Sequence, residues 1–151
     1  MTQSRPLFVD TNALVAVFDE DDDHHERANA VLDGIGEGSL PYGPVYTSRY
    51  VLSETATVLL YGSGHRDAVE ALTSIRASST LNVLEVTGQL FEKAANQFAR
   101  YDDQQISFVD HMSNVLSNEY DIDHVFAFEK DFKTLGMTRV PVDTGDAIGD
   151  S

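Results

Sequence analysis

Short apolar runs alternate with longer amphipathic segments along most of the chain. The short runs have the length and the polar boundaries of buried strands, and they lie at 7–9, 45–47, 83–86, 123–128 and 139–142. In the longer segments apolar residues recur at helical spacing, which predicts helices over 13–18, 25–35, 49–61, 65–77, 89–101 and 108–119. Strands that alternate with helices are typical of a parallel sheet flanked by helices. The pattern therefore predicts an α/β fold.

Small polar residues mark the predicted helix starts. Thr11 or Asn12 can cap the first helix, and Ser48, Thr87 and Ser107 stand in the same position before later helices. No internal repeat and no linker divides the chain, so we expect a single domain over residues 1–142. Residues 143–151 are rich in aspartate and glycine, which predicts a mobile acidic tail.

Composition narrows the class of protein. The 151 residues are 42% hydrophobic and include no cysteine, which excludes a disulfide framework and a thiolate metal site. No segment approaches the ~20 apolar residues that span a bilayer. Residues 1–6 lack the charged and apolar regions of a signal peptide. We therefore expect a cytoplasmic protein with no membrane segment.

The charge is strongly acidic, with 25 Asp and Glu against 10 Lys and Arg and a formal net charge of −15. Because the acids are spread along the whole chain, we interpret them as a halophilic adaptation, since repulsion is screened within ~3 Å at about 1 M salt. A partner with basic patches is the alternative. Overall charge therefore does not exclude an RNA substrate. Candidates for contacts with an RNA backbone are Arg49, Arg100, Lys130 and Lys133.

Four acids share a position at the ends of predicted elements. Asp10 and Glu129 each follow a predicted strand, and Asp110 lies in the first turn of a helix. Glu54 falls on the same side of its helix as the apolar residues Val51 and Val58, and a carboxylate there is costly unless it is paired or bound to metal. Strand ends and helix starts meet at one side of an α/β sheet. We therefore predict that these acids converge on one site.

Each acid also has a purely structural interpretation. Asp10 can be a turn or cap residue, as such residues are common between a strand and a helix. Glu54 can form an ion pair with an arginine such as Arg49, or it can reach the surface at the rim of the apolar face. Ser107 followed by Asp110 resembles a capping box, which would assign Asp110 to the helix start alone.

Three histidines lie close to these acids in the sequence. His24 and His25 stand in a polar run with no apolar frame, so we interpret them as an exposed helix start rather than as metal ligands. His111 directly follows Asp110. We expect His111 at the surface or just behind the acids, near a substrate.

Four segments together resemble the PIN-domain ribonucleases, and most closely the VapC-type toxins of toxin–antitoxin pairs. They are Phe-Val-Asp-Thr-Asn at 8–12, Ser-Glu at 53–54, Ile-Ser-Phe-Val-Asp at 106–110 and Phe-Ala-Phe-Glu-Lys-Asp-Phe at 126–132. The first and third are the specific ones, and the likeness covers nearly the whole chain. It implies a PIN-like three-layer α/β/α sandwich with a mainly parallel central sheet.

The resemblance also implies a set of site residues. The metal-site acids of the family are matched by Asp10, Glu54 and Asp110, and its supporting polar residues by Thr11, Asn12 and Ser107. Carboxylate oxygens are the ligands that Mg²⁺ and Mn²⁺ prefer.

The fourth segment departs from the family pattern. Ala127 and Glu129 stand where the family often has a threonine or serine and an aspartate. Glutamate still reaches a metal, although its extra methylene changes the geometry. The fourth acid of the site is therefore Glu129 or, as the alternative, Asp131.

By this resemblance we expect an Mg²⁺- or Mn²⁺-dependent endoribonuclease that hydrolyses RNA phosphodiester bonds as the toxin of a toxin–antitoxin pair. The implied partners are a small antitoxin, whose C-terminal segment lies across the acidic groove, and a second copy of the chain in a homodimer. A catalytically weakened RNA-binding or interaction module is the alternative, and Ala127 and Glu129 favour it. A phosphotransfer domain with Asp10 as nucleophile usually needs a nearby lysine, and no lysine precedes Lys93.

Overall fold

The structure is a computed structural model that describes residues 4–145. Its centre is one sheet whose neighbouring strands are all parallel, in the order β3-β2-β1-β4-β5. The strands are β1 (Arg5–Val9), β2 (Tyr42–Ser48), β3 (Leu81–Leu84), β4 (His124–Ala127) and β5 (Thr138–Pro141). The predicted α/β fold with a parallel sheet is confirmed.

Helices occupy the connections between the strands. They are α1 (Thr11–Phe18), α2 (His25–Glu37), α3 (Arg49–Gly62), α4 (His65–Ala77), α5 (Gly88–Arg100), α6 (Phe108–Glu119) and α7 (Asp131–Thr134). The chain moves from β1 to β2 and β3 in one direction and then returns to β4 and β5. Because crossovers are right-handed, α1–α4 cover one face and α5–α7 the other. Packing of α1 on α2 and α3, of α3 on α4, and of α6 on α5 and α7 agrees with these three layers.

Among the strand ends that differ from the sequence prediction, two have a clear local reason. The third strand ends at Leu84 rather than at residue 86, because β2 opposite it ends at Ser48, where the chain turns into α3. The fourth strand ends at Ala127 because the N–H of Phe128 donates to the side chain of Asn12 rather than to a neighbouring strand.

The core surrounds the central strand. Leu7, Phe8 and Val9 of β1 are all buried, as expected for a strand covered by helices on both faces. Phe126 of β4 and Met112 of α6 are buried in the same cluster. This packing fixes the carboxyl end of β1, and with it Asp10.

The chain continues past β5 into a short turn. Asp143, the first residue of the predicted tail, accepts hydrogen bonds from the backbone N–H and the guanidinium of Arg139. Residues 146–151 of that tail lie outside the described residues. Over residues 4–145, no helix combines the length and the apolar character that a membrane span requires.

Candidate metal centre

Asp10 lies where β1 ends and α1 begins. It is itself the cap of α1, since its Oδ2 accepts from the N–H of Asn12 at 3.4 Å, so the prediction that Thr11 or Asn12 caps this helix was wrong. The helix starts at Thr11, two residues earlier than the apolar pattern indicated. Asp10 is only 1% exposed, and its Oδ1 has no hydrogen-bond partner among the described residues. A buried carboxylate oxygen without a donor is costly and points to an absent ligand.

Two side-chain bonds hold the strand ends around Asp10. The buried hydroxyl of Thr47 in β2 donates to the carbonyl of Val9 at 3.0 Å, which joins β2 to the last residue of β1. The side-chain oxygen of Asn12 accepts from the N–H of Phe128 at 2.9 Å and thereby positions the residue just before Glu129. Asn12 is a predicted supporting residue, whereas the contribution of Thr47 was missed.

Glu54 is placed by α3, which the hydroxyl of Ser48 caps as predicted. The helix buries Val51 and Thr55 and turns the half-buried Glu54 toward the same edge of the sheet as Asp10. Val58, one turn further on, was predicted to face the core but is 44% exposed and lines the cavity beside Glu54. This side of α3 faces the cavity rather than the sheet. The apolar face of the helix is therefore wider than the part of that face that is buried.

The ion pair of Glu54 with Arg49 is not formed, because Arg49 pairs with Glu85 instead. Both side chains of that pair are well exposed.

Asp110 sits in the first turn of α6. The hydroxyl of Ser107 accepts from its N–H at 3.2 Å, so the predicted cap is present. In the described residues the Asp110 carboxylate does not return a bond to the Ser107 N–H, as a full capping box would require. It lies instead beside two other acids: carboxylate oxygens of Asp110, Glu129 and Asp131 all fall within 4.8 Å of one another.

One cavity of about 420 Å³ joins these side chains. It contains predicted site residues from all four segments, which are Thr11, Asn12, Glu54, Ser107, Asp110, Glu129 and Asp131. Asp10 lies behind its wall, and its charge acts on Glu129, Glu54 and Asp110. The predicted convergence of the four acids is thus present in the geometry, and Asp131 joins them together with Glu129 rather than instead of it.

The cavity also contains residues that the sequence did not indicate, namely Asp22, Gln105, Val15 and Val58. Asp22 belongs to an acidic run that reads as a solvated loop, and Gln105 to a polar connector. No local pattern distinguishes either from its neighbours. The course of the connecting segments places both residues at the cavity.

Crowded carboxylates change the protonation of the site. Burial is the main cause that raises the pKa of Asp10, and the charges of Glu129 and Glu54 raise it further. Burial likewise raises the pKa of Asp110, followed by the charges of Asp10, Glu129, Glu54 and Asp131. In the absence of a cation these acids therefore keep protons well above the usual aspartate range.

Of the two positions expected for His111, the structure shows the one behind the acids rather than the one at the surface. It is 1% exposed beneath the rings of Phe98 and Tyr101, and burial lowers its pKa. The Gln97 side-chain amide donates to His111 Nδ1 at 2.9 Å and to Asn114 at 3.1 Å. Asn114 in turn donates to the carbonyl of Leu135 after α7. This network ties α5, α6 and α7 together behind the acids.

The donor set fits a hard divalent cation. Every charged group that faces the cavity is a carboxylate, and the three close acids offer oxygens within one coordination sphere. The unpartnered Asp10 Oδ1 and the buried, unpartnered hydroxyl of Thr11 supply two further oxygens. The residues present can therefore hold a divalent metal ion.

Comparison with known proteins agrees with this site and fold. Residues 7–136 match the PIN domain family. The 23S rRNA-specific endonuclease VapC20 of Mycobacterium tuberculosis is 36% identical over 134 residues, which cover 89% of this chain and 97% of that protein. The crystal structure of VapC20, described as a sarcin–ricin loop cleaving toxin, superposes with a TM-score of 0.78 at 34% identity, over 87% of this chain and 95% of the other.

More distant structures share the fold alone. VapBC2 from Rickettsia felis, bound to a DNA fragment from its promoter, has a TM-score of 0.65 at 11% identity over 89% of this chain and 96% of that one. FitAcB from Neisseria gonorrhoeae has a TM-score of 0.58 at 16% identity over 88% of this chain and 95% of that one.

These similarities and the acidic site define the class of protein. The chain belongs to the PIN-domain family, in which its relationship to VapC20 makes it a VapC-type endoribonuclease, a phosphodiester hydrolase. The resemblance predicted from four sequence segments is confirmed.

Proposed function

We propose that Asp10, Glu54, Asp110, Glu129 and Asp131 form the active site of this endoribonuclease and hold Mg²⁺ or Mn²⁺. The observation that carries this proposal is the convergence of five carboxylates, from four separate parts of the chain, around one cavity. When bound, such a cation supplies Lewis-acid stabilisation of a phosphoryl oxygen and lowers the pKa of a water. The remaining roles belong to the protein.

The five acids occupy different positions around the proposed metal site. Asp110, Glu129 and Asp131 form the close cluster at the cavity wall, while the buried Asp10 lies beneath it. Glu54 reaches the cavity from the opposite helical layer. Asn12 and Ser107 act as positioning residues, because their hydrogen bonds set the chain just before Glu129 and at Asp110.

Ionised carboxylates in the cavity would also repel the substrate when no cation is present. Like charges about 4 Å apart repel by on the order of 4 kcal/mol at an effective dielectric near 20. An RNA phosphate would therefore be repelled from an ionised cavity without metal. The carboxylates that would hold the cation would therefore admit the phosphodiester only once their charge is offset.

Of the four basic residues proposed to hold the RNA backbone, Lys130 is the best placed, between Glu129 and Asp131 in the chain. Arg49 is paired with Glu85. For Lys133 and Arg100 the proposal rests on sequence alone.

The substrate that we propose is a loop of ribosomal RNA. VapC20, which is similar over nearly the whole chain, is a 23S rRNA-specific endonuclease, and its structure is described as that of a sarcin–ricin loop cleaving toxin. The cytoplasmic location expected from the sequence fits such a substrate.

The proposed partners follow the VapC-type family. We propose an antitoxin whose C-terminal segment lies across the acidic cavity, since a basic segment there would offset the carboxylate repulsion described above.

We also propose a homodimer. Phe91 and Phe98 on α5 are 38% and 48% exposed, and Phe91 lies next to Tyr50 of α3. Sedimentation velocity of wild type and Phe98→Glu tests this: we expect a dimer and a monomer respectively.

The alternative of a catalytically weakened module loses its main support. It rested on Ala127 and Glu129, yet the Glu129 carboxylate lies in the close cluster. A phosphotransfer role for Asp10 as nucleophile is disfavoured, because its side chain is buried and no lysine lines the cavity.

The test is RNA cleavage with a matched control. Wild-type protein incubated with ribosomes or purified rRNA and Mn²⁺ should produce discrete ends, which primer extension maps, and EDTA should abolish them. Asp110→Asn should remove cleavage, whereas Asp33→Asn, an exposed acid on α2, should leave it intact. Metal-dependent RNA binding with no cleavage by wild type would instead support the interaction module.

A further inference from the structure

The two adjacent histidines at the start of α2 have different environments. His25 turns inward, and its Nδ1 lies 2.7 Å from the carbonyl of Ala16 in α1. One turn later the Asn29 amide donates to the carbonyls of Val17 and of His25 itself. These bonds fasten the beginning of α2 to the end of α1. The segment that carries His24 is therefore held in a defined place.

His24 itself lies flat against an aromatic ring. Its imidazole stacks on Phe128 with ring centroids 4.2 Å apart and an interplanar angle of 3°. The guanidinium of Arg27 lies 5.8 Å from the centroid of the same Phe128 ring. Phe128 is half-buried, while His24 is exposed. One face of the imidazole is thus backed by Phe128, and the side chain remains accessible from solvent.

Both rings of this stacked pair adjoin residues that line the acidic cavity. Phe128 immediately precedes Glu129, and its N–H is fixed by Asn12. The N–H of His24 donates to Oδ1 of Asp22 at 2.8 Å, and Asp22 lines the cavity. A planar group resting on His24 would therefore lie beside the cavity in which the phosphate is proposed to bind.

We propose that the exposed face of His24 stacks a nucleobase of the RNA substrate beside the scissile phosphate, with Phe128 as its rigid support. This inference rests on the proposed ribonuclease function. Proteins recognise unpaired RNA bases largely by stacking them on aromatic side chains, since every base offers a π-face. A chain with a net charge of −15 gains little from general attraction to phosphates. Stacking supplies affinity that does not depend on a basic surface.

Three substitutions separate stacking from other roles. His24→Phe keeps a flat ring, His24→Leu keeps bulk without one, and His24→Lys keeps only a cation. His65→Leu, an exposed histidine at the start of α4, is the matched control. The probe is a short single-stranded RNA with 2-aminopurine at successive positions. Its fluorescence quench is measured in an Asp110→Asn background, and KM and kcat for cleavage are measured in the otherwise wild-type enzyme.

We expect His24→Leu and His24→Lys to raise KM by about 5- to 100-fold, the range for losing one base–aromatic stack, with kcat nearly unchanged. The quench at one position of the RNA should be lost in both, while His24→Phe and His65→Leu retain both properties. Equal KM values and equal quench in His24→Leu and His24→Phe would overturn the inference. It would also be overturned if His24→Lys kept the wild-type KM and His24→Phe did not. If wild type fails to cleave any RNA, the proposed function falls, yet the quench in the Asp110→Asn background still decides whether His24 stacks a base.

Discussion

The side-chain oxygen of Asn12 accepts a 2.9 Å hydrogen bond from the backbone N–H of Phe128, a residue 116 positions further along the chain. This bond replaces the ladder bond that Phe128 would otherwise make, so it ends β4 at Ala127. It also sets the direction of the chain at the point where Glu129 and Asp131 follow. One amide thus connects the first acidic segment of the site to the last.

Replacing Asn12 by alanine should therefore loosen the fourth segment. The Phe128 N–H would lose its partner, which costs about 1–3 kcal/mol of unfolding free energy when the group stays buried. Metal affinity should fall as well, because Glu129 and Asp131 lose their support. Urea unfolding and Mn²⁺ titration measure the two effects. Asn96→Ala, an exposed asparagine on α5, serves as the control, and equal metal affinity in both variants would contradict a positioning role for Asn12.

Divalent ions should stabilise the protein through the acidic cavity. Saturation with Mg²⁺ or Mn²⁺ at a hundredfold excess over Kd contributes about 2.7 kcal/mol, which thermal unfolding detects as a rise in Tm. At pH 8 in EDTA, above the raised pKa of about 7 for Asp10, Asp10→Asn should have a higher Tm than wild type, since a buried charge is removed. It should also lose most of the metal-induced rise. A full rise in Asp10→Asn would remove Asp10 from the site. Asp33→Asn should behave as wild type.

The raised pKa values of Asp10 and Asp110 predict an unusual pH dependence without metal. The unfolded acids ionise near pH 4, whereas the folded ones keep their protons to higher pH, so the folded state binds more protons above pH 4. Their contribution to stability therefore falls as pH rises from about 4 through neutrality. Because burial also lowers the pKa values of His111 and His124, the measurement is a difference between wild type and Asp110→Asn.

In urea unfolding with EDTA, Asp110→Asn should become progressively more stable relative to wild type between pH 5 and pH 8, by up to about 1.4 kcal/mol per unit of pKa shift removed. Saturating Mn²⁺ should reverse the order, since wild type alone then binds the ion fully. A difference that stays constant with pH would show that Asp110 titrates normally.

Glu129 and Asp131 should both contribute to metal affinity. The sequence left them as alternatives, but oxygens of both lie within 4.8 Å of an Asp110 oxygen. Glu129→Gln and Asp131→Asn should each raise the Mn²⁺ concentration for half-maximal cleavage by at least about tenfold. Tenfold is the smallest loss of metal affinity usual for residues that only support a metal ligand. A variant with an unchanged Mn²⁺ requirement would exclude its residue from the site. Glu119→Gln at the far end of α6 provides the acidic control.

Convergence of the acids could be predicted because it depends on topology rather than on detail. Asp10 and Glu129 follow strands, and parallel strands bring their carboxyl ends to one edge. The place of Asp22 at the cavity and the burial of His111 could not be predicted, because distant contacts decide them. Asp22 lies in the connection between α1 and α2, whose far end His25 fastens to α1, and His111 is buried under α5 by Gln97 and Phe98. The spacing of apolar residues also predicted a buried Val58, which is wrong. That spacing shows which side of a helix is apolar, but it does not show where the sheet beneath the helix ends.

The amide network of Gln97, His111 and Asn114 joins α6 to the end of α7, so Asp110 and Asp131 belong to a single rigid layer. Glu54 stands on the other side of the sheet, in a layer that shares few contacts with the first. An ion held by acids of both layers would bridge them at the open edge. Divalent-ion supply would then affect how firmly the two helical layers are joined at that edge of the shared sheet, in addition to how fast the enzyme turns over.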